Sequence, residues 1–282
     1  MIDETVREIR QMETHSSSIV AVKAARALTE LLDRDFVSLD EYERSLERNS
    51  QALRRANPSH ASLFTTQRDV VGSVVGEAAD VEEAKRLTRA AIDRVVERVE
   101  TGKRRAAERA ADTLSDGETI LTHDYSSTVL EAVELAVGDG ADLTVHVTEA
   151  RPRYLGRKTA RRLSTVDGVD PHLMVDAAAG EFLPDCDRMV VGMDCIVDDT
   201  LYNRVGTFPI AAAAAHHDVP VHVVGSSAKV IDEGFVFENE FRPPAEVSLE
   251  PLEGVTVENP AYDATPTRLV DAVFTDEGRL EP

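Results

Sequence analysis

From Ile2 to about Gly117 the apolar positions recur every three and four residues, the repeat of helices that each bury one face. The clearest case is IVAVKAARALTELL, residues 19–32, with Thr14 and Ser16 placed before it as capping candidates. A second helix is predicted through EYERSLERNSQALRRA, stopping before Pro58, and a third from about His60. A long fourth one, DVEEAKRLTRAAIDRVVERVETGKRRAAERAADTL, connects to the second half of the chain. No strand-period run interrupts this region, which reads as a helical domain over residues 1–116.

After Gly117 the pattern changes to short valine-rich runs. TILTH (119–123), DLTVHVTE (142–149), HLMVD (172–176), RMVVGMD (188–194) and VPVHVVGS (219–226) read as short apolar strands, the run Met189–Met193 as a fully buried one. The helix-period segments STVLEAVELAV, RKTARRL and IAAAAAHH separate most of them. Strand and helix alternating at this spacing predict an α/β domain over residues 117–282, with a parallel, doubly wound sheet and right-handed crossovers. The carboxyl-terminal stretch from Val257 reads as a compact turn around Asn259, Pro260, Tyr262, Asp263 and Pro266, then an apolar helix, then a closing strand or turn at FTDEG.

In a parallel sheet, polar residues at the carboxyl ends of strands face the crevice where ligands bind. His123 and Asp124, Thr148 and Glu149, Asp176, Asp194, and Ser226 with Ser227 all stand at such ends. Asp194 ends the most apolar strand abruptly and is the first site candidate. Basic residues concentrate between Arg151 and Arg162, where Arg151 lies directly beyond a strand end and a helix opens near Gly156. Guanidinium forks and a helix amino terminus together suit an anion such as phosphate; a solvated helix face is the plainer account of Arg157 to Arg162. Asn203-Arg204-Val205-Gly206-Thr207 is the second anion candidate, with Thr207 as cap and Pro209 in the first turn of the alanine-rich helix.

The formal net charge of −21 is extreme for a folded enzyme, and self-repulsion of that size calls for screening salt. A salt-rich cytoplasm is the expected setting. The totals supply no basic face for direct nucleic-acid binding. Cys186 and Cys195 are the only cysteines and lack metal-ligand spacing, so no metal and no cofactor is expected. No apolar run approaches the ~20 residues needed to cross a bilayer, and the charged start MIDETVREIR does not read as a signal peptide.

THDYSSTVLEAV, VTEARPRYLG, VVGMD with NRVGT, the lysine of GSSAKV (Lys229) and NPAYDATP together resemble the family of translation initiation factor 2B alpha, beta and delta subunits. That family also contains isomerases of methylthioribose 1-phosphate and ribose 1,5-bisphosphate. The resemblance implies a helical domain followed by a Rossmann-like domain, and a homo-oligomer of the dimer or hexamer type. It implies a ligand, sugar phosphate or nucleotide, held by Glu149, Arg151, Gly156, Asn203, Arg204, Gly206 and Lys229. Relatives usually carry lysine where Arg204 stands. The isomerases move a sugar carbonyl with a cysteine and an aspartate; the aspartate corresponds to Asp194, and Asp124 stands in the cysteine's place. Their arginine-bearing segments correspond to Thr14–Ser18 and to the stretch where Asn57 replaces an arginine.

On these grounds the sequence most resembles the alpha-type regulatory subunit. The expected function is a regulatory sugar-phosphate or nucleotide binder with initiation factor 2 as a possible partner. The alternative is an aldose–ketose isomerase of a phosphorylated pentose, working through Asp194 and Asp124.

Overall fold

The computed structural model describes residues 2–10, 17–231 and 234–281. The capping candidates Thr14 and Ser16 lie outside the described residues. Two compact units emerge: residues 1–102 with 228–238, and residues 103–227 with 239–282. The sequence places one boundary at 116/117. The long helix Val81–Ala111 crosses the division at 102/103, and a short later segment, 228–238, belongs with the helical unit.

The first unit comprises α1 (Ile2–Arg10), α2 (Ser17–Ala27), α3 (Leu39–Ala56), α4 (Ala61–Gly72) and most of α5 (Val81–Ala111). Ser38 caps α3 by accepting a hydrogen bond from the Glu41 amide at 3.3 Å, and His60 caps α4 through Nδ1 on the Leu63 amide at 3.1 Å. Leu28, Leu31, Leu46, Leu53, Leu63 and Ile92 fill the core. Within it the Tyr42 hydroxyl donates to Thr88 Oγ1 at 2.7 Å, satisfying the one polar atom that the ring carries inside.

The second unit is built on β1 (Thr119–His123), β2 (Leu143–Thr148), β3 (Val169–Met174) and β4 (Arg188–Gly192), with α6 (Ser127–Gly138), α7 (Gly156–Leu163) and the single turn α8 (Ala179–Phe182) between them. There follow β5 (Cys195–Val197), β6 (Thr200–Arg204), α9 (Thr207–His216) and β7 (Val221–Val224). The two-residue β8 (Val230–Ile231) falls in the segment assigned to the helical unit. β9 (Tyr262–Pro266), β10 (Ala272–Thr275) and β11 (Gly278–Leu280) close the chain.

The main sheet has the order β11-β10-β7-β4-β1-β2-β3, parallel except for β11. From β1 the chain moves outward through β2 and β3, then returns to the other side of β1 with β4. The order therefore reverses between β1 and β4, and the crevice beyond their carboxyl ends is the switch point where doubly wound sheets bind ligands. Asp124 and Asp194 lie just beyond these two strands.

Two segments differ from the sequence reading. The acidic loop after Asp194 is a hairpin, β5 against β6, turned by Asp198 and Asp199 with Asp198 at φ 48°. The carboxyl-terminal "compact turn and apolar helix" is instead β9, paired antiparallel with β6, a single 3-10 turn at Thr267–Leu269, and β10 inside the main sheet. Val270 to Phe274 has apolar spacing compatible with either period, and the vacant position beside β7 decides for a strand.

Burial depresses the pKa of three histidines. Burial lowers the pKa of His60 to about 4, helped by the Lys229 charge, and that of His222 to about 4, helped by Arg188. Burial and His172 lower that of His146. Because the unfolded chain binds these protons at about pH 6.5, their stabilisation is complete above that pH and is lost as pH falls toward 4. Thermal midpoints measured at fixed salt are expected to decline through this window, and substituting His222 by Gln should flatten the decline.

Candidate active site

The first contributor is the end of β1. His123 is buried; its Nε2 contacts the Val205 carbonyl at 2.9 Å and its Nδ1 the Thr148 hydroxyl at 2.6 Å. A carbonyl only accepts, so Nε2 carries the hydrogen, and in the neutral ring Nδ1 accepts from Thr148. The imidazole thereby ties β1, β2 and the turn after β6 into one frame. Gly206 follows at φ 109°, and a Cβ there would lie 2.7 Å from the His123 ring. Only glycine allows both the left-handed backbone and the close approach.

Asp124 sits at φ 63° and is 5% exposed. Its backbone carbonyl accepts from Thr159 Oγ1 at 2.7 Å, which fixes the turn against α7. Arg204, from the end of β6, approaches its carboxylate with Nε to Oδ2 at 3.4 Å and lies over the Tyr262 ring at 4.8 Å. Burial raises the Asp124 pKa above the ordinary carboxylate value; Arg204 and His123 oppose the rise and the Asp194 charge adds to it. Burial also works against the Arg204 charge, yet Asp194, Tyr262 and Asp124 hold the guanidinium pKa above its ordinary value. The Tyr262 hydroxyl is pushed up by burial and by Asp194. Asp124, Asp194 and Arg204 thus act on one another electrostatically, with Asp194 half-buried at the end of β4.

Next to this group is a cavity of about 20 Å³, lined among others by Asp124, Arg151, Arg153, Arg204, Arg242 and Asn259. Arg151 enters after a turn fixed by Asp176, whose carboxylate accepts the Ala150 and Arg151 amides at 2.7 Å each. Asp194 does not line the cavity but reaches it through Arg204. Neither cysteine lines the cavity: Cys186 lies before β4, at the opposite end of that strand from Asp194, donating to the Phe182 carbonyl at 3.3 Å, with burial raising its thiol to about 11. Cys195 is fully buried at the start of β5. No group of three or more His, Cys, Asp or Glu among the described residues is placed to hold a metal ion, and none of their helices is long and apolar enough to cross a membrane.

Several residues expected to hold a ligand also make contacts within the frame. Glu149 pairs with Arg157 at 2.6 Å, and Arg157 stacks on Tyr154 at 3.9 Å, so this part of the basic run is internally balanced. The Asn203 amide donates to Thr207 Oγ1 at 3.1 Å. The amides of Gly206 and Phe208 donate to Asp263 Oδ2 at 2.7 and 3.1 Å, so the start of α9 already holds an anion from β9. Thr207 is the first helical residue rather than the cap, a position that belongs to Gly206. Gly156 is a packing residue: a Cβ would fall 1.8 Å from the Thr148 carbonyl oxygen. Gly156→Ala should cost about 3 kcal/mol by overpacking, read as a fall of roughly 6–12 °C in thermal midpoint. Lys229 belongs to the helical unit, where its charge acts on His60. There Asn57 ends α3 and Arg54 lies over the Phe64 ring at 4.6 Å. Arg153, Arg242 and Asn259 were not singled out from the sequence as ligand contacts. The NPAYDATP motif marked Asn259, but nothing local marked Arg242.

Comparison with known proteins agrees with this architecture. The chain is 33% identical over 290 residues to a ribose 1,5-bisphosphate isomerase of Haloferax volcanii, covering all of this chain and 89% of that one. It is 28% identical to a putative translation initiation factor eIF-2B subunit 2-like protein of Pyrococcus horikoshii, over 99% of this chain and 96% of the other. The crystal structure of the Pyrococcus horikoshii translation initiation factor eIF-2B superposes with a TM-score of 0.78 at 25% identity, covering 100% and 97% of the two chains. Residues 13–282 match the Initiation factor 2 subunit family, and the chain belongs to that family.

Proposed function

We propose that this chain is an aldose–ketose isomerase of a phosphorylated pentose, with ribose 1,5-bisphosphate as the substrate. The observation that carries the reading is the group at the switch point: Asp124, buried with its pKa raised and Arg204 at 3.4 Å, and Asp194 at the end of the neighbouring strand, whose charge acts on both. In ribose 1,5-bisphosphate C1 stands at the aldehyde level but carries phosphate. Isomerisation therefore breaks the bond from C1 to the ring oxygen as that oxygen takes a proton, and removes the proton on C2 to give an enol phosphate. It then returns a proton to C1 while the C2 hydroxyl gives up its own and becomes the carbonyl. Asp124 is the proton donor to oxygen and Asp194 the group that takes and returns the carbon-bound proton. Arg204 steadies the negative charge that develops on the C2 oxygen as its proton leaves. Burial raises the pKa of the carboxyl that stands at this turn in the thiol's place, the direction that favours its work as a proton carrier. The full-length similarity to ribose 1,5-bisphosphate isomerases supports the same reading.

The second reading is a regulatory subunit-like protein that binds a sugar phosphate or nucleotide without turnover and associates with initiation factor 2. It is favoured by Asp124 standing in the cysteine's place and by the fold shared with the eIF-2B structure. In both readings the chain forms a homo-oligomer in the cytoplasm.

The test is incubation of the purified protein at high salt with ribose 1,5-bisphosphate, methylthioribose 1-phosphate and nucleoside monophosphates, following product by phosphorus and carbon resonance. Conversion of ribose 1,5-bisphosphate to its ketose is the expected result. Binding of any of the three at saturation with no product supports the regulatory reading instead.

A further inference from the structure

Four guanidinium groups border a cavity with room for about one water molecule. Three carboxylates balance part of that charge: Asp124 on Arg204, Glu240 on Arg242 Nη1 at 2.9 Å, and Glu246 on the other edge of the Arg242 fork. Glu246 ends a 3-10 turn, Pro244–Glu246, within an irregular stretch, and accepts from Arg242 Nη2 at 2.7 Å and Nε at 2.9 Å. Asn259 Nδ2 approaches the same carboxylate at 3.5 Å. The Arg242 hydrogen bond holds the Glu246 pKa below the usual range, and Arg153 contributes to the lowering. The carbonyl of the next residue, Val247, accepts from Arg151 Nη2 at 3.4 Å. Beyond it Leu249 and Val255 are exposed.

A planar carboxylate seated on a guanidinium fork is the arrangement that an anionic ligand group would adopt at that place. The strap, residues 243–248, is held by Arg151, Arg242 and Asn259, three of the residues that line the cavity, so a carboxylate sits on the Arg242 fork where an incoming anion would seat. We propose that Arg153 and Arg242 form a second anion position, separate from Arg151 and Arg204, and that Glu246 occupies it until the second phosphate of a bisphosphorylated sugar displaces it. The inference rests on the sugar-phosphate reading of this cavity but not on turnover. Displacement frees the strap, so one event vacates the fork and selects ligands with two anionic ends over those with one.

Glu246 competes with ligand inside the chain, so its removal strengthens binding by the factor it now withholds. Titration calorimetry with ribose 1,5-bisphosphate at one fixed salt concentration should show Glu246→Gln binding about tenfold more tightly than the natural chain, and Arg242→Gln at least about tenfold more weakly. A merely structural clamp predicts that both substitutions weaken binding or leave it unchanged, and that result overturns the inference. Hydrogen exchange on the natural chain gives a readout that needs no variant. The amides of Glu246, Val247 and Ser248, bonded to Pro243 and Pro244, should exchange faster when the bisphosphate is bound. Slower exchange, or no binding by either the natural chain or Glu246→Gln, overturns the proposal. Binding with the expected pattern but without turnover would remove the isomerase reading and leave this one standing.

Discussion

Asp194→Asn should lower the rate of ribose 1,5-bisphosphate isomerisation by roughly a thousandfold, the size expected when a positioned proton carrier is lost. Binding of the bisphosphate should change little, because the cavity is lined by Arg151, Arg153, Arg204 and Arg242 rather than by Asp194. Asp124→Asn should cost a similar factor in rate but move stability the other way. A carboxyl whose folded pKa is raised stabilises the fold fully below its unfolded pKa, and that contribution is lost as pH rises through the folded value. At neutral pH the amide avoids a buried carboxylate, so its thermal midpoint should lie a few degrees above that of the natural chain, roughly 2–4 °C per kcal/mol gained. A rate loss accompanied by a lower midpoint would indicate that Asp124 is structural.

Arg204→Met carries the second large effect. Arg204 is the counter-charge shared by Asp124 and Asp194, and it is also stacked on Tyr262. Breaking a pair of this kind leaves an uncompensated buried charge, at a cost of several kcal/mol. Asp124 can take up a proton in response, which should limit the loss to about 2 kcal/mol. Affinity for the bisphosphate should fall about a hundredfold, and the pH dependence of stability should grow steeper as the Asp124 pKa rises further. Arg204→Lys keeps the charge but not the planar group over Tyr262. An intermediate loss of about tenfold in affinity is expected, because lysine is a point charge without the guanidinium fork. Equal affinity for the lysine variant and the natural chain would mean that Tyr262 has no part in holding the group.

The parallel strands and their polar ends were legible in the sequence because buried strands read as short valine-rich runs and because the polar residue ending each one interrupts the run. Asp124, Arg151, Asp194 and Arg204 were therefore visible from the residues alone. The β5–β6 hairpin was not, since three residues before an Asp-Asp turn carry too little periodicity to separate a strand from a loop. Glu149, Asn203 and Gly206 were read toward a ligand because their chemistry suits one. Their partners Arg157, Thr207 and Asp263 were not visible as partners, and Asp263 lies on a strand whose pairing with β6 no local pattern announces. Arg242 escaped for the same reason. It meets Arg151 and Asp124 only because an irregular stretch brings it back to the end of β1, and irregular backbone leaves no period to read.

The most direct test of the central claim, that Asp124 and Asp194 work as one acid–base pair, is the turnover of ribose 1,5-bisphosphate by the Asp124→Asn/Asp194→Asn double variant compared with each single one. Groups that act as a unit lose nearly everything when the first is removed, so the double variant should be no slower than the slower single variant, within about threefold. Losses that multiply, or an Asp124→Asn chain as fast as the natural one, would contradict the pairing.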